Sequence, residues 1–261
     1  MKDLDSVKCF VFDLDGTIYL SQKLIDGVKE KLDFLREKGK KIVYLTNNST
    51  YSIKSYNATL KSLGILTDKD LVVSSNSATM GYLKENGLTK NIYLIGTKDL
   101  KEEYRENGFS LCFKNPSTVV VGYDVKLNYD KLSIATDSII KGANFVATHG
   151  DLACPYKDKL KPDVGSFVAL LETATEKKAL AVCGKPSKIM GDYLKNLLSL
   201  QSEEICMVGD SLFSDIPFGQ INGFYTILVL SGKTTLKEYE EYKKVHGEVD
   251  LVLGGVKDIK L

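Results

Sequence analysis

Short, continuous apolar segments alternate with helix-length amphipathic segments along almost the whole chain. Strands are predicted over the apolar segments 7–12, 41–45, 71–75, 91–96, 118–123, 144–148, 180–184, 203–209, 224–230 and 251–255. Amphipathic helices are predicted after the first three, over 26–38, about 52–63 and 76–86. Strands that are apolar on both faces, and that alternate with helices, are typical of a parallel sheet covered on both sides. The sequence therefore predicts an α/β fold with a doubly wound parallel sheet.

The composition argues against several classes of partner. The 261 residues include 35 Lys and Arg against 34 Asp and Glu, so no basic surplus favours a nucleic acid polymer or an anionic membrane. The sequence opens without the apolar stretch of a signal peptide, and no apolar run approaches the roughly 18 residues of a spanning helix. Five cysteines without a C-x-x-C pair favour buried thiols over disulfides or a zinc site. We therefore expect a cytoplasmic protein.

Four of the predicted strands end in polar residues of unusual chemistry. The four segments are DLDGT at 13–17, TNNS at 46–49, GKPS at 184–187 and GDSLFSD at 209–215. In an open α/β sheet the ligand binds beyond the carboxyl ends of the strands, so we expect all four segments at one edge of one sheet. Together they contain carboxylates, a lysine, a hydroxyl and loop amides. This set indicates a site for a metal ion and a phosphate group.

Two of these segments carry the carboxylates. Asp13 and Asp15 can address one ligand, because residues two apart in an extended segment face the same side. With Asp210 from another strand they form an oxygen cluster suited to Mg²⁺. One oxygen of Asp13 can attack phosphorus and form an aspartyl-phosphate, while Asp15 protonates the leaving oxygen and later activates water.

The other two segments carry groups that can bind a phosphate. Thr46 and the residues after it, Asn47 and Asn48, are predicted to hold the phosphoryl oxygens. Lys185 is predicted to be catalytic as well as phosphate-binding, because a fixed cation stabilises the charge that gathers in the transition state.

The chain resembles the haloacid dehalogenase superfamily, whose four motifs are matched in order by DLDGT, TNN, Lys185 and Gly209-Asp210 with Asp215. It most resembles the NagD-like branch, which contains p-nitrophenyl, phosphoglycolate and pyridoxal phosphatases and ribonucleotide monophosphatases. Further matching stretches are VVVGYD at 119–124, FVATHGD at 145–151 and MVGDSLFSDI at 207–216. The similarity therefore extends over nearly the whole chain.

This resemblance implies a Rossmann-like core and a role for each acidic residue. Asp13 is implied as the nucleophile, Asp15 as the acid/base, and Asp210 as a magnesium ligand. Asp215 matches a second acidic residue that orders metal-bound water or the lysine, and Thr17 is expected to support the site in a similar way. Superfamily members that cleave carbon–halogen bonds lack an aspartate at the position of Asp15. The DxD pair therefore favours a phosphatase or a phosphomutase.

A long insertion separates the second motif from the third. From Thr46 to Lys185 the sequence advances by 139 positions, far more than one crossover connection requires. This stretch has its own predicted strands and helices, which indicates an α/β domain inserted at about 80–180 into a core formed by 1–79 and 181–261. The resemblance agrees, since the branch carries an α/β cap at this point.

The inserted domain is the expected source of substrate specificity. A cap excludes water from the site and contributes contacts to the substrate. Three polar residues that follow the predicted strand 144–148 are candidates for such contacts, namely His149, Asp151 and Tyr156. We also consider a homodimer formed through this domain.

Three functions are compatible with these motifs. The first is a Mg²⁺-dependent phosphatase acting on a small phosphate monoester, such as phosphoglycolate, pyridoxal phosphate, a nucleoside monophosphate or a sugar phosphate, with p-nitrophenyl phosphate as a generic substrate. The second is a phosphomutase or phosphotransferase, which would return the phosphoryl group to an organic acceptor. The third is a sensor that binds a phosphorylated metabolite without turnover.

Two other motifs are matched only in part. An EF-hand beginning at Asp13 would require Gly and Glu where Ile18 and Leu24 stand. The tetrapeptide SGKT at 231–234 matches the end of a P-loop, but the earlier glycine of that motif would fall at Ile227. We therefore reject both.

Overall fold

The structure, a computed structural model, describes residues 4–21, 23–156 and 159–261, and the side chains of Pro155 and Tyr156 lie outside the described part. The chain divides into two compact units. The first contains Met1–Thr46, Tyr56–Val73 and Pro186–Leu261, and the second contains Asn47–Ser55 and Ser74–Lys185.

The elements alternate along the chain much as the sequence predicts. The strands are β1 (Cys9–Asp13), β2 (Tyr19–Leu20), β3 (Lys23–Leu24), β4 (Lys41–Thr46), β5 (Leu71–Ser74), β6 (Ile92–Ile95), β7 (Thr118–Val121), β8 (Asn144–Ala147), β9 (Ala153–Tyr156), β10 (Lys159–Pro162), β11 (Ala181–Val182), β12 (Ile205–Gly209), β13 (Tyr225–Val229) and β14 (Leu251–Leu253). The α-helices are α1 (Val28–Glu37), α2 (Ile53–Ser62), α3 (Ser75–Glu85), α4 (Lys98–Glu106), α5 (Tyr129–Ile140), α6 (Val164–Thr175), α7 (Lys188–Leu198), α8 (Asp215–Asn222) and α9 (Leu236–His246).

In the first unit, β1 lies inside a six-stranded sheet with the strand order β14-β13-β12-β1-β4-β5. Its neighbours β12 and β4 run parallel to it, with Phe12 beside Val208 and Tyr44. A parallel strand at this position is covered on both faces, which explains why Cys9 to Phe12 are all apolar and buried. Helices alternate with these strands along the chain. The predicted α/β class and parallel sheet are confirmed.

Side chains of this sheet form the main core of the first unit. The rings of Phe10 and Phe12 stack with their centroids 6.1 Å apart, and they belong to a buried cluster that includes Leu32 of α1 and Ile227 of β13. Burying one such side chain contributes about 1.5–3 kcal/mol. This packing fixes β1, and therefore fixes the residues that follow it.

The second unit has its own parallel sheet, with the strand order β11-β8-β7-β6. Its core combines strand residues such as Val119 and Phe145 with Leu171 of α6. An antiparallel hairpin, formed by β9 and β10, connects β8 to α6. The prediction of an inserted domain at about 80–180 remains a prediction, and its ends differ from those of this compact unit.

One strand lies in a different sheet from the one predicted. β11 pairs with β8, with Ala181 beside Val146 and Val182 beside Ala147. The expectation that all four polar segments lie at one edge of one sheet is therefore wrong for the segment that contains Lys185. An apolar run does not indicate which neighbouring strand it will pair with, and this strand is only two residues long.

Neither antiparallel hairpin was predicted from the sequence. β2 and β3 have two residues each, and β10 is exposed along its length, so these segments lack the continuous apolar character of a buried strand. Within the part of the chain that the structure describes, no helix combines the length and the apolar character needed to cross a membrane.

Candidate active site

Three carboxylates converge in the first unit. Asp13 is the last residue of β1, Asp210 follows β12, and Asp215 is the first residue of α8. Because β1 and β12 are parallel, hydrogen-bonded neighbours, their carboxyl ends lie side by side. One carboxylate oxygen from each residue lies within 4.8 Å of the other two. Like charges at such distances repel one another, so the group favours a cation between its members.

The chemistry of this group suits a hard divalent cation. Mg²⁺ prefers oxygen ligands and is usually bound by one or two carboxylates together with water and phosphate oxygens. Asp210 and Asp215 are buried, whereas Asp13 is partly exposed. Asp13 is therefore the member of the group that solvent and a ligand can reach most easily.

The membership of this group differs from the predicted ligand set of Asp13, Asp15 and Asp210. Among the described residues, the structure brings Asp13 and Asp210 together with Asp215. Asp15 is exposed and lies outside this group. The two aspartates of the DxD pair are thus in different environments. The acid/base role of Asp15 stays a prediction.

Asp215 also supports the turn that carries Asp210. Its Oδ2 accepts a hydrogen bond of 3.1 Å from the backbone N–H of Ser211, the residue that directly follows Asp210. This bond closes the turn between β12 and α8. Asp215 therefore belongs to the carboxylate group and also holds the turn after Asp210, while the role that the resemblance implies for it stays a prediction.

Two predicted threonines lie near the carboxyl ends of β1 and β4. Thr17 is fully buried, and its Oγ1 has no hydrogen-bond partner among the described residues. Thr46 is buried at the end of β4, one position beyond Leu45, which pairs with Asp13. Buried hydroxyls are normally hydrogen-bonded, so the unpaired hydroxyl of Thr17 is an exception of the kind that calls for an explanation.

In the second unit, the side chain of Asn47 is hydrogen-bonded to the backbone of Lys185. Asn47 Oδ1 accepts from the Lys185 N–H at 2.8 Å, and Asn47 Nδ2 donates to the Lys185 carbonyl at 3.0 Å. The same Nδ2 donates to Asp151 Oδ2 at 2.8 Å. Lys185 is only 2% exposed. The amide of Asn47 therefore pairs with Lys185 much as a neighbouring strand would, and it fixes the backbone from which the ammonium group extends.

Three further residues predicted to contact the substrate or its phosphate are Asn48, Asp151 and Tyr156. Asn48 is exposed, and its Oδ1 accepts from the Thr50 N–H. Asp151 is half-buried and, besides its contact with Asn47, accepts from the Gly165 N–H through its carbonyl. The side chain of Tyr156 lies outside the described part of the chain, so the prediction for it remains open.

His149 is buried and both of its ring nitrogens are used. Nδ1 lies 3.0 Å from Thr148 Oγ1, and Nε2 lies 3.0 Å from Asp163 Oδ1. The same Asp163 oxygen accepts from the Val164 N–H at the start of α6. His149 therefore joins the end of β8 to the start of α6, in addition to the substrate contact predicted for it. Asp163 was missed as a functional residue, although an Asp directly before an apolar helical segment is a helix-capping signal.

We expect the replacement of His149 by Ala to lower the free energy of unfolding by about 2–4 kcal/mol. The change opens a cavity and leaves the buried carboxylate of Asp163 without its ring partner. Urea denaturation followed by circular dichroism measures the effect. Asp163→Asn is the matched variant: it keeps the shape and the capping oxygen, so a smaller loss is expected. An unchanged unfolding midpoint for His149→Ala would contradict the structural role described here.

Two family profiles match the chain. One, described as haloacid dehalogenase-like hydrolase, covers residues 10–110, and a second, HAD-hydrolase-like, covers residues 182–259. Together they include every strand of the six-stranded sheet except part of β1.

Several phosphatases are similar to this protein over most of the chain. Phosphoglycolate phosphatase 1A, chloroplastic, from Arabidopsis thaliana is 37% identical over 262 aligned positions, covering 91% of this chain and 72% of that protein. Sugar-phosphatase AraL from Bacillus subtilis is 32% identical, covering 95% of this chain and 90% of that protein. The crystal structure of a 4-nitrophenylphosphatase from Thermotoga maritima superposes with a TM-score of 0.93 at 34% identity, covering 98% of this chain and 97% of the other.

Sequence, fold and the converging carboxylates lead to the same assignment, which confirms the predicted resemblance. The chain belongs to the haloacid dehalogenase-like hydrolase family.

Proposed function

We propose that the chain is a Mg²⁺-dependent phosphatase that hydrolyses a small phosphate monoester through an aspartyl-phosphate. The observation that carries this proposal is the group of three carboxylates, Asp13, Asp210 and Asp215, which meet beyond the carboxyl ends of the adjacent parallel strands β1 and β12. The phosphatase names of the relatives support it. So does the order of the four motifs along the sequence.

The same three residues are the proposed ligands of the magnesium ion. When bound, Mg²⁺ supplies the positive charge that offsets these carboxylates and the incoming phosphate. The partly exposed Asp13 is the ligand that also reaches the substrate.

In the proposed reaction, one carboxylate oxygen of Asp13 attacks phosphorus, and the bond from phosphorus to the leaving oxygen breaks. Asp15 gives its proton to that leaving oxygen and becomes a carboxylate. It then takes a proton from a water molecule, whose oxygen attacks the phosphorus of the aspartyl-phosphate. The bond from phosphorus to the Asp13 oxygen breaks, inorganic phosphate departs, and both aspartates return to their starting states.

Charge on the transferring phosphoryl group needs fixed partners. We assign this role to the ammonium of Lys185 and to Thr46 with the residues that follow it, as the motif order implies. The hydrogen bonds from Asn47 to the Lys185 backbone support the assignment, because a fixed backbone lowers the cost of holding a lysine in one orientation.

Further parts of the proposal concern the context of the enzyme. The inserted domain is proposed as the cap that distinguishes substrates, since the phosphoryl group is common to all of them. A cytoplasmic location is supported by five free cysteines. A homodimer formed through the cap is also proposed, and analytical ultracentrifugation tests it.

A panel of phosphorylated metabolites tests the function. Purified protein with Mg²⁺ is incubated with phosphoglycolate, sugar phosphates, pyridoxal phosphate, nucleoside monophosphates and p-nitrophenyl phosphate, and free phosphate is measured. We expect the protein to hydrolyse p-nitrophenyl phosphate, and to hydrolyse one of the metabolites with a much higher kcat/KM than p-nitrophenyl phosphate. Formation of an isomeric phosphate ester without free phosphate would indicate a phosphomutase. Binding without turnover across the panel would indicate a sensor.

We expect Asn47→Asp to lower kcat by about tenfold or more, with a smaller change in KM. A carboxylate at this position cannot donate to the Lys185 carbonyl, and it faces the carboxylate of Asp151. Adding Asp151→Asn to the same chain restores a donor–acceptor pair and removes the repulsion, so part of the loss should be recovered. Steady-state kinetics of the single and double variants measure this. A double variant less active than Asn47→Asp alone would contradict the proposed coupling.

A further inference from the structure

The segment SGKT at 231–234, which fails as a P-loop, lies beside the carboxylate group. It follows β13, and β13, β12 and β1 are consecutive strands of the same parallel sheet. The loops that follow these three strands therefore meet at one edge of the sheet. We call residues 231–234 the SGKT loop.

The SGKT loop is hydrogen-bonded to both neighbouring loops. The backbone N–H of Lys233 donates to Asp210 Oδ2 at 2.8 Å, and Thr234 Oγ1 donates to the Asp210 carbonyl. Ser231 Oγ donates to the Gly16 carbonyl, also at 2.8 Å. Asp210 is thus held at its carboxylate and at its backbone, while the turn after Asp13 is held by a separate bond.

Gly232 allows the close approach that these bonds require. A Cβ atom at this position would lie 1.9 Å from Asp210 Oδ2, well inside any allowed contact. The side chain of Lys233 is exposed, so the loop acts on Asp210 through the backbone N–H of that lysine. Residue 232 therefore has to be a glycine for the loop to approach Asp210 this closely.

The geometry points to the SGKT loop as a positioning element for the metal site. Fixing Oδ2 restricts rotation of the Asp210 carboxylate, one oxygen of which lies within 4.8 Å of those of Asp13 and Asp215. Hydrogen bonds that orient a ligating carboxylate commonly change metal affinity by about 10- to 100-fold when they are removed. The inference rests on the proposed function, because it takes Asp210 to be a metal ligand.

Binding of Mn²⁺ to the metal-free protein, followed by electron paramagnetic resonance of the free ion, tests the inference without using catalysis. We expect Gly232→Ala and Thr234→Val each to weaken Mn²⁺ binding by about tenfold or more. Thr234→Ser keeps the hydroxyl that donates to the Asp210 carbonyl, so its affinity for Mn²⁺ should stay within about threefold of that of wild type. The matched control is Gly255→Ala, where an added Cβ meets only Ser231 Cβ at 3.9 Å, and its affinity should be unchanged.

The outcomes separate this inference from the proposed function. If the wild-type protein binds Mn²⁺ and both Thr234→Val and Thr234→Ser bind it as tightly as wild type, the positioning role is wrong and the metal site stands. If the wild-type protein binds no Mn²⁺, both proposals are overturned. Should Gly232→Ala fail to fold, the two variants at Thr234 decide between the outcomes, because Val keeps the size of Thr without its hydroxyl and Ser keeps the hydroxyl with one methyl group fewer.

Discussion

Replacing Asp13 by Asn is expected to reduce turnover of p-nitrophenyl phosphate by roughly four orders of magnitude or more, since an amide cannot serve as this nucleophile. The same variant should not form a covalent phosphoprotein. Its metal-free form should unfold at the same temperature as wild type or at a higher one, because the change removes one of three mutually repelling carboxylates. Initial rates, mass spectrometry of the denatured protein and thermal denaturation give the three readouts.

The matched control for this variant is Asp137→Asn, the same chemical change at an exposed position of α5. It should retain full activity. Residual activity of Asp13→Asn with the wild-type KM would indicate contamination by wild-type enzyme. Activity within tenfold of wild type, in protein free of that contamination, would rule out Asp13 as the nucleophile.

Removal of divalent metal is expected to abolish hydrolysis, and Mg²⁺ should restore it. Ca²⁺ should support the reaction poorly, because its longer bonds and looser geometry disturb the alignment for attack. Mg²⁺ should also raise the unfolding temperature by mass action, since it binds the folded carboxylate group and not the unfolded chain. Titration of the metal-free protein with each ion, followed by activity and thermal denaturation, measures all three effects.

Asp210→Ala serves as the companion variant in this experiment. It should raise the Mg²⁺ concentration required for half-maximal activity or eliminate activity altogether, and the rise in unfolding temperature with Mg²⁺ should shrink. Full activity after rigorous removal of metal would contradict the proposed dependence. A normal thermal response to Mg²⁺ in Asp210→Ala would exclude that residue as a ligand.

Strand positions in this protein could be predicted because the buried strands have no polar face. The run 118–123, for example, contains the strand Thr118–Val121, all four residues of which are buried. Strand partners could not be predicted in the same way. The run 180–184 resembles the others, yet its strand pairs with β8 in the second unit. The two hairpins were missed because their strands are short or solvent-exposed.

The candidate site could be predicted as a set of motifs but not as a set of contacts. Asp13 and Asp210 follow strands and were identified by their positions. That Asp215 joins them depends on how α8 begins after the turn, which no spacing rule specifies. The bonds from Asn47 to Lys185 span 138 positions, so their existence depends on the tertiary fold.

The central position of β1 has a consequence for how the protein is made. β1 is synthesised long before one of its two neighbours, β12, which begins at Ile205. Until β12 has been made, one edge of a strand that is apolar from Cys9 to Phe12 has no partner, a condition that favours aggregation. The sheet of the second unit is complete once Val182 has been made, so that unit can fold first. The carboxylate group therefore forms only after Asp215 has left the ribosome, and slow or interrupted translation beyond the second unit should favour capture of the nascent chain by chaperones.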